Sequence, residues 1–216
     1  MVYPMAAPSV DDVAADPVLP GRADVVVVGG GIVGVSTALA LAEKGIPTVL
    51  CEKGRIGGEQ SSRNWGWCRN TGRDLREVPL MAHSARLWQD MNARTGRETG
   101  YRRRGILFLC QDAAEAARME GWQRDAMPHQ LGTRFLSGQQ VADLLPQSGR
   151  RWAAGLYTPS DGQAEPAHAA PAIAEAARAR GAGIQTRCAV RGFETTAGRL
   201  SAVVTERGPI RCGAVV

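Results

Sequence analysis

The sequence has no paired cysteines, no cluster of metal ligands and no long apolar run. Its five cysteines, an odd number, stand far apart at Cys51, Cys68, Cys110, Cys188 and Cys212, with no C-x-x-C among them. That excludes a disulfide-built scaffold. The apolar stretches around Cys51, Cys110, Cys188 and Cys212 predict buried thiols in a reducing compartment. Histidine is equally scarce, with three scattered residues, so no metal site can be composed. No stretch approaches the roughly 18 apolar residues of a membrane span. The opening MVYPMAAPSVDDVAADPVLPGRA lacks the basic-then-apolar order of a secretion signal. A cytoplasmic location is expected, with peripheral attachment to the inner face of a membrane as the alternative. Residues 1–21 read as a polar, Pro-containing, loosely ordered lead-in.

Lysine is nearly missing too. Lys44 and Lys53 are its only two representatives, so arginine carries almost all the positive charge behind a net +5. The densest cluster, Arg102-Arg103-Arg104 beside Tyr101, opens an apolar strand. It is no basic stripe with interleaved aromatics, so nucleic acid is not expected as a partner. Internal repeats and low-complexity segments are absent as well. What remains is a 216-residue chain that is 44% hydrophobic, enough for one large domain with a lobe attached.

One stretch organises that chain. From Asp24 to Lys53, DVVVVGGGIVGVSTALALAEKGIPTVLCEK reads as strand, glycine turn, helix, strand and acidic end. Val25 to Val28 suit a parallel strand buried on both faces. Gly29, Gly31 and Gly34 supply G-x-G-x-x-G: the first for the tight turn, the second for close approach of a pyrophosphate, the third for helix against strand. Ile32 and Val33 open a helix whose free N–H groups and dipole face the phosphates. Its small residues, such as Ala38 and Ala42, suit close packing, Gly45 caps its end and Pro47 stops it. Thr48 to Cys51 form a second strand. Glu52, followed by Lys53, ends it at the offset where a carboxylate accepts from a ribose 2′-OH. The motif by itself suits NAD and FAD equally, since both carry a diphosphate and an adenosine ribose.

The next stretch, KGRIGGEQSSRNWGWCR, has neither helical nor strand period and reads as a functional loop. Ser61, Ser62 and Asn64 offer hydrogen bonds there, and Gly66 admits something flat against the backbone. Trp65 and Trp67 are either core anchors or the lining of a ligand plane. Beyond it, 78–93 has a helical period with Leu80, Ser84, Leu87, Trp88 and Met91 on the apolar face. A strand is predicted at 105–110, a helix capped by Asp112 and closed by Pro128, and a short helix from Ser137 to Pro146. A strand and turn over 155–166 precede a helix over 167–180. Four strands follow, at 184–190, 192–195, 200–206 and 210–216, with reversals at Ala197-Gly198 and Gly208-Pro209.

Three of these pieces together resemble one family. VVVVGGGIVGVSTALALAEKG with Glu52, the SSRNWGW loop, and LYTPSDGQAEPAHAAPAIAEAARARGAGI are similar to the N-terminal half of flavoproteins of the D-amino-acid oxidase/dehydrogenase family, which includes glycine and sarcosine oxidases. The third piece matches a pattern of strand, x-P-x-D-G-x-x-x-P and helix. The resemblance covers residues 22–216. It implies an α/β, Rossmann-type FAD-binding domain with inserted antiparallel and helical pieces, the start of a substrate lobe falling at about 95–160. It implies FAD, with the diphosphate on Gly29 to Gly34, the ribose on Glu52, and adenine on the backbone of Val190. Ser61, Ser62, Asn64, Trp65 and Gly66 would flank diphosphate and isoalloxazine.

The implied reaction is hydride transfer to flavin from the carbon beside the nitrogen of an amino acid or secondary amine, with oxygen or a quinone as electron acceptor. No residue is assigned as catalytic and no metal is expected; Trp65, Trp67 and Arg69 are the best candidates to border the site. Gly213 to Val216 read as the opening of a strand returning to the nucleotide sheet, ahead of the family's second FAD motif. The expectation is therefore a fragment or one piece of a split enzyme, with a partner chain supplying the rest. Rival readings are an incomplete FAD-binding subunit and an NAD(P)-dependent dehydrogenase.

Overall fold

The computed structural model describes residues 9–216. In chain order they form β1 (Val25–Val28), α1 (Ile32–Glu43), β2 (Thr48–Cys51), β3 (Trp67–Cys68), α2 (Val78–Gln89), α3 (Met91–Thr95), β4 (Ile106–Cys110), α4 (Ala113–Ala126) and β5 (Arg134–Ser137). Then come α5 (Gly138–Leu144), β6 (Ala154–Thr158), β7 (Gly162–Gln163), α6 (Pro166–Ala179), β8 (Gly183–Gln185), β9 (Val190–Thr196), β10 (Arg199–Thr205), β11 (Gly208–Arg211) and β12 (Ala214–Val215). The chain divides into two compact units. The first takes the described residues up to Trp65 with Asn92–Gly100 and Glu165–Val216; the second takes Gly66–Met91 and Tyr101–Ala164. The predicted lobe at 95–160 thus differs from the second unit, which starts much earlier and omits residues 92–100.

The first unit rests on a four-stranded, wholly parallel sheet of order β12-β1-β2-β8. A strand with neighbours on both sides and packing on both faces wants an unbroken apolar run, and β1 supplies four valines. Val26 and Val27 are fully buried, each side chain worth about 1.5–3 kcal/mol. Val28, at the open end of the strand, is 43% exposed, so burial on both faces stops one residue short of the glycine turn. Helix α1 ends in a Schellman motif: Gly45 at φ +70° donates to Ala42 O at 2.9 Å and Ile46 donates to Leu41 O at 3.0 Å. It packs along α6, where buried Ala170, Ala174 and Ala177 keep the interface thin. A three-stranded antiparallel sheet, β11-β10-β9, contributes Val203 and Ile210 to a core shared with Val26, Val49 and Cys51.

Three expectations are corrected in this unit. The predicted strand at 184–190 is two elements: Gly183–Gln185 joins the parallel sheet beside β2, and the chain turns at Arg187 (φ +50°) before β9. The run at 210–216 likewise splits, Gly208–Arg211 pairing with β10 and Ala214–Val215 with β1. The reversal between β10 and β11 falls at Glu206-Arg207, since Gly208 and Pro209 already lie in the ladder. In both runs a few apolar residues serve two sheets in turn, which periodicity alone does not distinguish.

The lead-in is also different from its expectation over residues 9–21; residues 1–8 lie outside the described residues. Pro171, inside α6, has no N–H to give Ala167 O. The Asp11 N–H takes that carbonyl at 3.1 Å instead. Asp16 accepts from the Ile184 N–H at 2.7 Å and from Arg178 at 2.9 Å, while Val10 and Val13 are buried. A segment of unremarkable composition is thereby tied into the unit by what a helix proline left unpaired.

The second unit holds an antiparallel sheet β4-β6-β5 and a two-stranded ladder β3-β7. The caps stand where the sequence puts them. Asp112 accepts from the Glu115 N–H at 2.9 Å, and Ser137 forms a capping box with Gln140. Strand β5 was not among the predicted elements. Helix α2 exists, and its expected face is only partly covered: Trp88 is packed and Met91, at the start of α3, is buried, whereas Leu80 is 65% and Leu87 42% exposed and Val78 and Ala85 are buried in their place. The Trp88 ring stacks on Tyr101 at 5.7 Å.

Candidate functional site

The glycine turn between β1 and α1 does three separate things. Gly29 has φ +108°, a conformation open to glycine, and its N–H bonds Cys51 O at 2.8 Å. A Cβ on Gly34 would lie 1.9 Å from Gly29 O, so helix and turn touch only because it is absent. Gly30, which the sequence reading passed over, has Ile56 at 2.5 Å from the Cβ it lacks. Gly31 differs from all of these. A Cβ there would meet the Ser61 hydroxyl at 3.1 Å and nothing else within 4 Å. The protein's own packing does not need that glycine, and the space before it is open.

Helix α1 begins with Ile32, and Val35 makes the first intrahelical bond, to Gly31 O at 3.0 Å. The N–H groups of Ile32, Val33 and Gly34 therefore precede the ladder. No acidic residue stands in that first turn, and Val33 is 75% exposed. Ile32 donates to Ser61 Oγ at 2.8 Å. The positive end of the helix is thus met by one neutral hydroxyl, an arrangement suited to an anion.

Glu52 is buried, and its carboxylate is engaged on both oxygens. Oε2 accepts from the Gly30 N–H at 2.7 Å and Oε1 from the Gly54 N–H at 2.6 Å. Its backbone is held as firmly, between Gln185 O and the Cys188 N–H, each at 2.8 Å. Each carboxylate oxygen keeps a second lone pair. Glu52 therefore braces the glycine turn in addition to the ribose role expected of it. Val190 begins β9 and packs against the core that contains Cys51, the residue before Glu52, and Cys188, whose N–H bonds Glu52 O. Lys53 is exposed and pairs with Glu59 at 3.6 Å.

The loop residues divide. Ser61 reaches the helix. The Ser62 hydroxyl donates to Glu59 O at 3.2 Å, and Asn64 Nδ2 donates to Gln60 O and Ser61 O at 3.1 and 3.0 Å, so both shape the turn at Gln60–Ser62. Trp65 is 74% exposed, which ends the core-anchor alternative for it. Gly66, at φ +69°, already belongs to the second unit, where its carbonyl accepts from Ala164 at 2.9 Å. There Trp67 meets Phe108 edge-on at 5.7 Å, and the Arg69 guanidinium lies 5.3 Å from the same ring.

Burial, and next the neighbouring Cys188, push Cys51 up to about 12; burial pushes Cys68 up to about 12. All five cysteines are free. Among the described residues no group of side chains could hold a metal ion. A hollow of about 370 Å³ in the first unit, lined by Asp11, Arg97, His168 and Glu175, offers side chains that are already partnered, His168 with Asp11 at 2.8 Å and Glu175 with Arg178 at 2.6 Å. Among the described residues no helix is long and apolar enough to cross a membrane.

Comparison with known proteins agrees with this geometry. The family described as FAD dependent oxidoreductase matches residues 24–216. Mitochondrial sarcosine dehydrogenase of Mus musculus is 31% identical over 206 residues, covering 92% of this chain and 22% of that protein. Sarcosine oxidase subunit beta of Rhodobacter capsulatus is 29% identical, with coverage of 89% and 48%. Among solved structures, L-amino acid deaminase from Proteus myxofaciens, in complex with anthranilate, superposes with a TM-score of 0.91 at 33% identity, covering 95% of this chain and 47% of that one. The chain spans less than half the length of each of these three.

Proposed function

Because this chain belongs to the family of FAD-dependent oxidoreductases, we propose that its first unit is the FAD diphosphate and ribose site of an enzyme that oxidises the C–N bond of an amino acid or secondary amine. The observation that carries the reading is Gly31, where an added Cβ would meet, among the described residues within 4 Å, the Ser61 hydroxyl alone. FAD is the family's cofactor, which ends the nicotinamide alternative.

The residues present fit that group. The N–H groups at the start of α1 receive the diphosphate, and Ser61, held by the Ile32 N–H, has its own O–H to donate. Glu52 accepts from the ribose with its remaining lone pairs while its bond to Gly30 keeps the turn in shape. Val190 offers backbone to adenine, and Ser62, Asn64, Lys53 and Trp65 border the site through the loop they build. When bound, FAD supplies a two-electron acceptor for the hydride on the carbon beside the amine nitrogen, passed on to oxygen or a quinone. The second unit carries substrate recognition, with Trp67 and Arg69 as its foremost residues. No side chain is assigned as a base, since an amine that arrives neutral can release hydride without one.

A second reading has an observation of its own. One relative is named as a subunit, sarcosine oxidase subunit beta, and this chain spans 48% of it, so the chain could be an FAD-binding piece that works with a partner chain. Titration with FAD, followed by dye-coupled and oxygen-coupled assays on glycine, sarcosine, proline and D-amino acids, separates the two. Flavin binding with turnover supports the enzyme; flavin binding without turnover supports the subunit. Absence of flavin binding refutes both.

A further inference from the structure

The x-P-x-D-G pattern at Thr158-Pro159-Ser160-Asp161-Gly162 has no part in the flavin site described above, and the structure assigns it one. We propose that Asp161 is a positioning residue: its buried carboxylate fixes the segment Trp67–Thr71, and so places Trp67 and Arg69. This rests on the reading that the second unit carries substrate recognition.

Asp161 is wholly buried, and its carboxylate is satisfied by four donors from two adjacent residues. Oδ1 accepts from the Asn70 N–H at 2.8 Å and from Asn70 Nδ2 at 3.0 Å. Oδ2 accepts from the Thr71 N–H at 3.2 Å and from Thr71 Oγ1 at 2.7 Å. A carboxylate only accepts, so the sense of the Asn70 amide is dictated: its nitrogen must face Asp161, which leaves Asn70 Oδ1 buried and unpaired. The Thr71 hydroxyl gives its one hydrogen to Asp161 and accepts from Thr158 Oγ1 at 2.5 Å, and Thr158 lies 2.8 Å from Thr133 Oγ1. Three hydroxyls in series therefore point their donors toward one charge, each polarising the next.

The residues on either side of this knot complete the grip. Immediately after Asp161, Gly162 and Gln163 pair with Cys68 and Trp67 in the β7-β3 ladder. Gly162 has to lack a side chain, because a Cβ would lie 2.7 Å from Arg102 O and 2.9 Å from the Tyr101 ring. On the other strand Arg69 donates to Thr71 O, the residue Asp161 holds. With that bond and the Phe108 ring beneath it, the guanidinium has little freedom left. A loop that carries ligand-facing residues must either be rigid or be ordered on binding. Here it is rigid, and Asp161 is the reason.

The test uses the full chain in three variants, Asp161→Asn, Thr71→Val and Thr71→Ser, with wild type as the control. Asp161→Asn puts a donor where two donors already point; Thr71→Val removes one hydroxyl at constant shape, and Thr71→Ser restores it. Trypsin reads the loop directly at the Arg69–Asn70 bond, with the exposed Arg63–Asn64 bond as internal reference. Cleavage at Arg69 should become about tenfold faster in Asp161→Asn, intermediate in Thr71→Val and unchanged in Thr71→Ser, with cleavage at Arg63 unaltered. With FAD added, the same variants should keep FAD affinity within about twofold and lose about tenfold in affinity for anthranilate, used as a carboxylate probe. Unchanged cleavage at Arg69, equal acceleration at every arginine, or no difference between Thr71→Ser and Thr71→Val would each overturn the proposal. A wild type that binds neither FAD nor anthranilate refutes the functional reading instead, and the cleavage pattern still decides for or against Asp161.

Discussion

Glycines of the same motif answer to different masters, and substitution separates them. At Gly34 an added methyl meets the backbone oxygen of Gly29 at 1.9 Å, so Gly34→Ala should destabilise the fold by about 3 kcal/mol or more, read from urea unfolding. At Gly31 the only obstacle is a hydroxyl on a side chain that can turn. Gly31→Val should leave stability within about 0.5 kcal/mol of wild type and lower FAD affinity about a hundredfold by equilibrium titration. Retained affinity would mean the ligand does not approach there. The buried thiols give a second test at this scale. Cys51 holds its proton to about 12 in the folded chain because it is buried, while an unfolded thiol ionises near 8.5. The folded state is therefore the tighter proton binder. The stability this site contributes is whole below about pH 8.5 and is lost as pH climbs toward 12. Urea midpoints measured from about pH 8 to about pH 10.5 should fall more steeply in wild type than in Cys51→Ala.

Elements here are held by what other elements leave unpaired. Pro171 frees a carbonyl in α6 and the Asp11 N–H takes it; Asp16 fastens Arg178 and Ile184. Deleting residues up to Pro17 would also expose the positions covered by Val10 and Val13. The shortened chain should lose about 3 kcal/mol or more of stability by denaturant titration; a loss near zero would mean the segment merely rests on the surface. The C-terminal end of α1 shows the opposite logic. Glu43 sits at the negative end of its helix, and the paired hydrogen bonds of Arg94, joined by Arg180 at 3.5 Å, hold its carboxyl below the usual range. A depressed carboxyl contributes stability above the unfolded value of about 4.3 and loses it as pH falls through the folded one. Glu43→Gln should cost about 1 kcal/mol at neutral pH and remove that part of the acid sensitivity.

For the whole molecule, the most direct consequence of the functional reading is thermodynamic linkage. A ligand that binds only the folded chain adds stability that grows with its concentration, about 2.7 kcal/mol at a hundred times its dissociation constant. FAD should therefore raise the melting temperature in proportion to the logarithm of its concentration, and NAD should not. In Gly31→Val the same rise should require about a hundredfold more FAD while the ligand-free melting temperature stays put. A shift unchanged by that substitution would move the nucleotide elsewhere on the chain.

Much of this protein is written locally. The βαβ unit, its glycine turn, the Schellman end at Gly45 and the caps at Asp112 and Ser137 all follow from residues a few positions apart, because turns, caps and apolar periods act over a few bonds. The dual task of Glu52 does not: its acceptance from Gly30 joins residues 22 apart, and either partner alone looks like half of a ligand site. The same holds for the covered side of α2, where folding brings Trp88 onto the Tyr101 ring and leaves Leu80 and Leu87 exposed. It holds for β8, whose apolar run reads as a continuation of β9 until β2 offers it an edge. Asp161 is the extreme case. A lone aspartate in a turn says nothing about its environment, and it becomes a buried strut because folding brings Asn70 and Thr71 to it across about ninety residues. Short-range chemistry chose the elements; which unpaired groups they could satisfy in one another was left to the tertiary structure.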